Sequence, residues 1–145
     1  MRYILLNLLF IFTLLSGETT FTKPKPSIDN PRKLLFSINT DNLDTVNHII
    51  GTINNVMKFY RPENTEIVVV TYSKGIRSIT QKFDKATRVR IEALMTYDVE
   101  FIACQNSMRT LKIDKKEFLE DVTFVTAGIV EIIEKKLDKF SYTHL

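Results

Sequence analysis

The run Glu66–Tyr72 constrains the fold more than any other part of the sequence. Four consecutive β-branched residues, Ile67 to Val70, lie within it and show no alternation between apolar and polar side chains. A strand with one face in water alternates, whereas a strand covered on both faces is apolar throughout. The run therefore predicts an interior strand of a parallel sheet with helices on both faces.

The other apolar segments alternate between strand patterns and helix patterns along the chain. Further strands are predicted at Lys33–Asn39, Val99–Cys104, Val122–Val125 and Phe140–Thr143. Helices are predicted at about 46–60, at 87–96 and from Gly128 onward, with short helical turns at 107–113, at 115–119 and within the loop 73–83. This order predicts a three-layer α/β/α sandwich with a mainly parallel sheet of about five strands.

Two of the predicted helices carry clear apolar patterns. From Val46 to Tyr60, apolar residues recur at three- and four-residue spacing, with Asp41 or Asn42 as the expected cap and His48 on the solvent side. In the last helix, four residues are expected to form the buried face: Ile129, Ile132, Ile133 and Leu137. These faces are expected to pack on the sheet.

Residues 1–17 have the three parts of a secretory signal peptide. A basic tip that includes Arg2 is followed by an apolar run of about a dozen residues and then by small residues ending at Gly17. An uncleaved anchor is the competing interpretation, but the run is short against the roughly 20 residues that span a bilayer. Cleavage near Gly17 predicts a periplasmic or secreted protein without stable membrane insertion.

The rest of the chain divides into a short tether and one domain. Residues 18–32 are polar and contain three prolines, so an extended tether with little structure is expected there. Every periodic apolar segment lies within 33–145, which is predicted to form the folded domain. A chain of 145 residues has room for one ordinary hydrophobic core.

Charge and glycine usage exclude several function classes. Loss of Arg2 with the leader leaves 19 Lys and Arg against 17 Asp and Glu, a net charge of +2. With basic residues scattered among acidic ones, no nucleic-acid partner is predicted. The four glycines are dispersed, so no phosphate-binding loop is recognisable. The single cysteine and the two histidines, His48 and His144, are far apart in sequence, so neither a metal site nor any other cofactor is predicted.

Cys104 is the chain's only cysteine, and it lies where a predicted strand gives way to polar residues. The carboxyl edge of an open α/β sheet is where ligands and chemistry gather. A short helix starting near Asn106 would direct its amides at the sulfur, and Arg109 would add a positive charge, so both favour the thiolate. Three further residues are candidates to line the same edge: Asn39, Ser73 and Lys74.

Cys104 has two other interpretations. The first is a small buried hydrophobe at a strand end, which would also protect an exported thiol that has no intramolecular partner. The second is a Cys–His hydrolase, which requires a histidine beside the sulfur. Because His48 is expected on the surface and His144 in a tail, the hydrolase is not favoured.

From residue 33 to the C terminus the sequence resembles the DsrE/DsrF-like family of sulfur-relay proteins. The most specific parts are Cys104–Met108, similar to the family's Cys-x-Asn-Thr-Met/Leu pattern, and Ala127–Glu131, similar to its Ser/Ala-Gly-Val-Val-Glu. The Asn39–Asp41 turn, the strand Val122–Val125 and the terminal Phe140–Tyr142 agree as well. One departure is Tyr72–Gly75, where family members often have small residues and glycine.

The resemblance implies a parallel-sheet α/β/α fold, homo-oligomers and, in some members, a cysteine that carries sulfur as a persulfide. The first hypothesis is therefore an exported sulfur-handling protein, at most a sulfurtransferase or sulfur carrier. Cys104 would accept sulfane sulfur from polysulfide or a donor protein and pass it to a partner thiol. The alternative is a non-catalytic oligomeric module of the same fold that binds a small ligand or a protein segment.

Overall fold

The computed structural model describes residues 19–145; the leader expected at 1–17 lies outside the described residues. The strands are β1 (Arg32–Ile38), β2 (Thr65–Thr71), β3 (Glu100–Cys104), β4 (Thr123–Val125) and β5 (Ser141–Thr143). The helices are α1 (Leu43–Tyr60), α2 (Lys85–Met95), α3 (Gln105–Leu111) and α4 (Gly128–Leu137). Short 3₁₀ segments lie at Pro62–Asn64, Ser73–Ile79 and Lys115–Glu117.

Within the described chain, the five strands form one parallel sheet in the order β4-β3-β2-β1-β5. The chain steps outward from β1 to β4, and α4 then returns across the sheet to β5, which pairs with the other side of β1. Right-handed crossovers in opposite directions place their helices on opposite faces of the sheet. The predicted α/β fold with a parallel sheet is confirmed.

Side chains of the strands divide the core into two layers. Phe36, Val69 and Phe101 point to one face, where they join buried residues of α1, α2 and α3. Val70 and Ile102, one residue further along their strands, point to the other face and join Ile132 of α4. The unbroken apolar run in β2 follows directly from this arrangement, because both of its faces are covered.

The expected buried face of the last helix is wrong for three of its four residues. Only Ile132 is buried, at 7% exposure, whereas Ile129, Ile133 and Leu137 are 52%, 50% and 73% exposed. The reason is that α4 packs on its face of the sheet through one side. No described residue covers its outer side enough to bury these three, so α4 presents an apolar stripe to the outside.

Two neighbouring polar residues make different contacts at the start of α1. The Asn42 side chain accepts a hydrogen bond from the Thr45 amide over 3.0 Å and caps the helix. Asp41, the other candidate, instead accepts a hydrogen bond from Arg77 over 2.7 Å. This ion pair fastens the loop after β2 to the loop after β1, at the carboxyl edge of the sheet.

Gly75 is required by a close approach between two backbones. A Cβ atom at this position would lie 2.0 Å from the carbonyl oxygen of Ile38 and 2.8 Å from the amide nitrogen of Asn39. No side chain fits there. The glycine therefore allows the segment Ser73–Ile79 to run directly against the end of β1.

The polar segment that precedes β1 packs against the C-terminal end of α1. The Phe21 ring lies 5.7 Å from the ring of Phe59 and 5.9 Å from that of Tyr60, both at the end of α1. The Arg32 guanidinium donates a hydrogen bond to the Thr22 carbonyl over 2.7 Å.

Among residues 19–145, no helix combines the length and apolar character needed to cross a lipid bilayer.

Candidate functional site

Cys104 ends β3, and α3 begins at the next residue. Its side chain is 5% exposed and faces a cavity of about 420 Å³ at the carboxyl edge of the sheet. The cavity is formed by the segments that follow β2, β3 and β4. The residues that line it are Tyr72, Ser73, Cys104, Asn106, Ser107, Thr110, Leu111, Ala127, Gly128 and Ile129.

Ser73 and Ser107 connect two of these segments. The Ser73 amide donates a hydrogen bond to the Ser107 Oγ over 2.7 Å. Ser73 has a φ of 51°, in the left-handed region that is costly for a residue other than glycine. Since the amide occupies a lone pair of the Ser107 oxygen, the hydroxyl hydrogen remains free to point at the Cys104 sulfur.

Hydrogen bonds to the sulfur favour the thiolate. Burial of Cys104 raises its pKa, but the Ser107 hydroxyl and the amides of Gly128 and Ser107 outweigh burial and hold the pKa below the ordinary value of 9.0. The Asn106 amide has the smallest effect, because it donates its hydrogen bond to the Thr126 carbonyl. All four donors are neutral groups. A thiolate, unlike a thiol, is an effective nucleophile, so these contacts favour the reactive form of Cys104.

Gly128 permits α4 to begin close to the cysteine. A Cβ atom here would lie 3.2 Å from the Cβ atoms of Cys104 and Tyr72 and 3.3 Å from Cγ1 of Val70. Just before it, the Thr126 carbonyl accepts a hydrogen bond from the Asn106 amide over 3.1 Å and lies 4.0 Å from the Cys104 sulfur. The loop after β4 and the start of α3 thus enclose the sulfur from two sides.

The structure brings together some of the site residues proposed from sequence. Ser73 and Asn106 line the cavity with Cys104, whereas Asn39 and Lys74 lie at the same sheet edge outside its lining. The Arg109 guanidinium also lies outside the lining, where it donates a hydrogen bond to the Asn106 side-chain oxygen. The roles of Asn39, Lys74 and Arg109 stay predictions.

Several residues of the cavity were not predicted as site residues from the sequence. Tyr72 and Gly128 belong to motifs of the sequence, and the Ser107 amide is among those expected at the start of the helix after Cys104, but none of the three residues was predicted to line the site. Their positions carried a usable signal, because each follows a strand of the parallel sheet and such strand ends converge at one edge. Which of them faces the sulfur depends on backbone geometry that the sequence pattern does not contain.

Within residues 19–145, no three His, Cys, Asp or Glu side chains lie close enough together to hold a metal ion. His48 is exposed on α1, as predicted from its position between the apolar stripe residues. The Nδ1 atom of His144 lies 3.4 Å from the Tyr142 hydroxyl. His144 follows the edge strand β5, which β1 and β2 separate from β3 in the sheet. Neither histidine lines the cavity at Cys104.

The model of the DsrE/DsrF-like family matches residues 33–143 of this chain. The chain belongs to the DsrE/DsrF-like family. The resemblance drawn from the sequence motifs is thereby confirmed, and the family is associated in general with sulfur relay. Among curated proteins, none matches this chain.

Two solved structures of DsrE-fold proteins are similar to this family member. MTH1491, a protein of unknown function from Methanobacterium thermoautotrophicum, is 24% identical, with a TM-score of 0.73. The YchN protein from E. coli is 12% identical, with a TM-score of 0.68. Each match covers 79% of this chain and 99% of the other chain. At these identities the similarity establishes the shared fold.

Proposed function

We propose that this protein carries sulfane sulfur as a persulfide on Cys104 and delivers it to a partner thiol. The observation that carries the proposal is the environment of the sulfur. Cys104 faces a cavity, and the Ser107 hydroxyl and the backbone amides around the sulfur lower its pKa. A thiol with only a packing role has no need of donors that stabilise its anion.

The chemistry balances without an external oxidant. The Cys104 thiolate attacks the outer sulfur of a donor persulfide, R–S–SH. A new sulfur–sulfur bond forms at Cys104 while the donor bond breaks, and the donor leaves as a thiolate with the bonding electron pair. In delivery, an acceptor thiolate attacks the outer sulfur and Cys104 leaves as the thiolate, which the same hydrogen bonds stabilise.

Cys104 is the chain's only cysteine, so the thiol that accepts the sulfur belongs to a partner. No internal thiol is available to take the sulfur from the persulfide. Delivery therefore requires a thiol on another molecule, and the protein acts as a carrier between a donor and an acceptor rather than as a self-contained disulfide exchanger.

The test is to incubate the purified protein with inorganic polysulfide and, separately, with an organic persulfide, and to measure intact mass. The expected product is the protein plus one sulfur atom, lost on reduction and absent from Cys104→Ser. Circular dichroism of Cys104→Ser controls for folding. If neither donor loads the native protein while both load the unfolded chain, the carrier proposal is wrong.

A second candidate function is favoured by one observation, the low exposure of the thiol. At 5% exposure Cys104 also fits a packing residue in the floor of a ligand-binding cavity. Iodoacetamide labelling separates the two functions. A carrier thiol is labelled in the native protein, whereas a packing thiol is labelled only after unfolding, in which case the non-catalytic binding module is the better description.

The apolar stripe of α4 supports self-association as part of the proposal. Ile129, Ile133 and Leu137 recur every four residues and are half-exposed or more. A two-fold axis through Ile133 would therefore pair Ile129 of one copy with Leu137 of a second copy, in a closed symmetric arrangement. Because Ile129 also lines the cavity, a second copy seated there would border the site.

Export remains part of the proposal and rests on the sequence alone. The apolar leader 1–17 would direct the chain out of the cytoplasm, and the mature protein would then act in the periplasm or outside the cell. The measurement is N-terminal sequencing of protein recovered from the periplasm and the medium. A cytoplasmic protein that retains Met1 would contradict export without affecting the sulfur chemistry.

A further inference from the structure

The size of the cavity at Cys104 exceeds what the transfer of one sulfur atom requires. Its volume of about 420 Å³ lies within the roughly 300–1,000 Å³ typical of small-molecule sites. A sulfane sulfur on Cys104 occupies a small fraction of this space. The remaining room is sufficient for the organic group of a donor molecule.

The walls of the cavity combine large apolar side chains with neutral polar groups. Tyr72, Leu111 and Ile129 supply the large apolar surfaces. Apart from the Cys104 thiolate, the polar members of the lining carry neutral hydroxyl or amide groups, and none of the ten lining residues is Asp, Glu, Lys or Arg. The nearest positive charge on α3, that of Arg109, lies against Asn106 outside the lining.

This wall chemistry disfavours inorganic sulfur donors. Inorganic polysulfides are small dianions, and moving a charged group from water into a cavity without a counter-charge costs free energy. The neutral groups around the sulfur, the Ser107 hydroxyl and the backbone amides, already stabilise the thiolate. An uncharged apolar group instead gains free energy when it leaves water for the apolar walls.

Resting on the carrier function proposed above, we propose that the sulfur donor is a small organic persulfide with an uncharged apolar body, which binds between Tyr72, Leu111 and Ile129. The body occupies the cavity and presents its terminal sulfur to Cys104. The outer sulfur is transferred and the organic thiolate leaves with the bonding electrons. Attack at the inner sulfur would instead release HS⁻ and leave the organic group attached to Cys104.

The experiment compares three donors: benzyl persulfide, glutathione persulfide and inorganic tetrasulfide. The rate at which Cys104 gains one sulfur atom is followed by intact mass under pseudo-first-order conditions. Each rate is divided by that of the same donor with an unfolded peptide spanning residues 99–109, which removes differences in intrinsic reactivity. Benzyl persulfide is expected to exceed tetrasulfide by about tenfold or more, the effect of burying one large apolar group.

A matched pair of variants tests whether the cavity wall selects the donor. Ile129 and Val130 are neighbours on α4 with similar exposure, 52% and 55%, but only Ile129 lines the cavity. Ile129→Lys is expected to lower the preference for benzyl persulfide about tenfold and to accelerate tetrasulfide. Val130→Lys should keep the wild-type preference, and it controls for the effect of an added positive charge on the exposed surface of α4.

The outcomes separate this inference from the proposed function. Equal normalised rates for the three donors, or a faster reaction with tetrasulfide, overturn the donor class and leave the carrier function intact. The same change in preference in both lysine variants also overturns it. A native protein that no donor loads, while the peptide is loaded, contradicts the carrier function itself.

Discussion

The amide of Ser73 donates a 2.7 Å hydrogen bond to the hydroxyl oxygen of Ser107, and this bond joins the segment after β2 to the helix after β3. Ser73 adopts the left-handed conformation to make it. With its oxygen engaged as an acceptor, the Ser107 hydroxyl keeps its hydrogen free for Cys104, whose pKa it lowers. The pKa of Cys104 is therefore lowered by neutral groups that follow the ends of neighbouring strands, and not by a charged neighbour.

The first prediction is that Ser107→Ala makes Cys104 less reactive. Removal of the hydroxyl deletes a hydrogen bond to the thiolate and raises the pKa of Cys104, so alkylation near neutral pH should slow about tenfold. The measurement is the iodoacetamide rate as a function of pH. Thr110→Ala is the matched control, because Thr110 lines the cavity but donates its hydroxyl to the Asn106 carbonyl. Equal slowing in both variants would contradict the role of Ser107.

The second prediction ranks Arg109 below Ser107. The sequence suggested that the Arg109 charge stabilises the thiolate, whereas the structure places the guanidinium on the Asn106 side chain. An exposed charge acts on the sulfur through water and is screened by salt. Arg109→Ala should therefore slow alkylation less than Ser107→Ala, and its effect should shrink in high salt. If Arg109→Ala slows alkylation more than Ser107→Ala does, and equally in low and high salt, Arg109 is the main cause of the lowered pKa of Cys104.

The third prediction concerns stability against pH. The folded-state pKa of Cys104 is lowered from 9.0, so between the two values the unfolded chain binds the proton and the folded chain does not. Stability then rises with pH across that interval and is lost as pH falls through the folded pKa. In denaturant titrations, the free energy of unfolding of wild type relative to Cys104→Ser should increase toward pH 9.0 and then level off. A difference that is constant with pH would show an unperturbed thiol.

The fold was accessible from the sequence because its strongest signals are local. The unbroken apolar run in β2 requires cover on both faces, and the regular stripe in α1 identifies a helix. Boundaries shifted by one to three residues where caps and pairing decide them: β1 begins at Arg32, β2 at Thr65 and α1 at Leu43. The outer stripe of α4 was misassigned because periodicity shows that an apolar face exists, not what covers it.

The candidate site could be predicted from the sequence only in part. Cys104 was identified because a strand end in a parallel sheet is a general place for chemistry, and Ser73 and Asn106 followed from the same rule. The donors that set its pKa are mostly backbone amides, which every sequence contains. The sequence predicts the contribution of the amides at the start of α3, whereas the contribution of the Gly128 amide depends on how closely α4 begins to Cys104.

The fourth prediction uses two glycines in different surroundings. Gly128→Ala places a methyl group 3.2 Å from the Cβ atoms of Cys104 and Tyr72, so α4 must move and the variant should lose about 1–3 kcal/mol of stability. Displacement of the Gly128 amide should also slow alkylation of Cys104.

Gly51→Ala is the control for Gly128→Ala. Within α1 the added methyl group meets only the end of the Arg90 side chain at 3.3 Å, and alanine in a helix interior is expected to add about 0.5–1 kcal/mol. Both variants are measured by urea titration, together with their iodoacetamide rates. A Gly128→Ala protein as stable and as reactive as wild type would show that α4 need not approach the cysteine so closely.

The fifth prediction is that Ile133→Lys converts an oligomer into a monomer. Ile133 is the middle residue of the apolar stripe on α4 and is 50% exposed, so a lysine there costs little in the monomer but is unfavourable in a dry interface. Val89→Lys is the matched control, since Val89 is 57% exposed on α2, away from the stripe. In sedimentation velocity at micromolar concentration, wild type and Val89→Lys should sediment as the same oligomer and Ile133→Lys as a monomer. If wild type is itself monomeric, or if Ile133→Lys remains assembled, the stripe on α4 does not join copies of this chain.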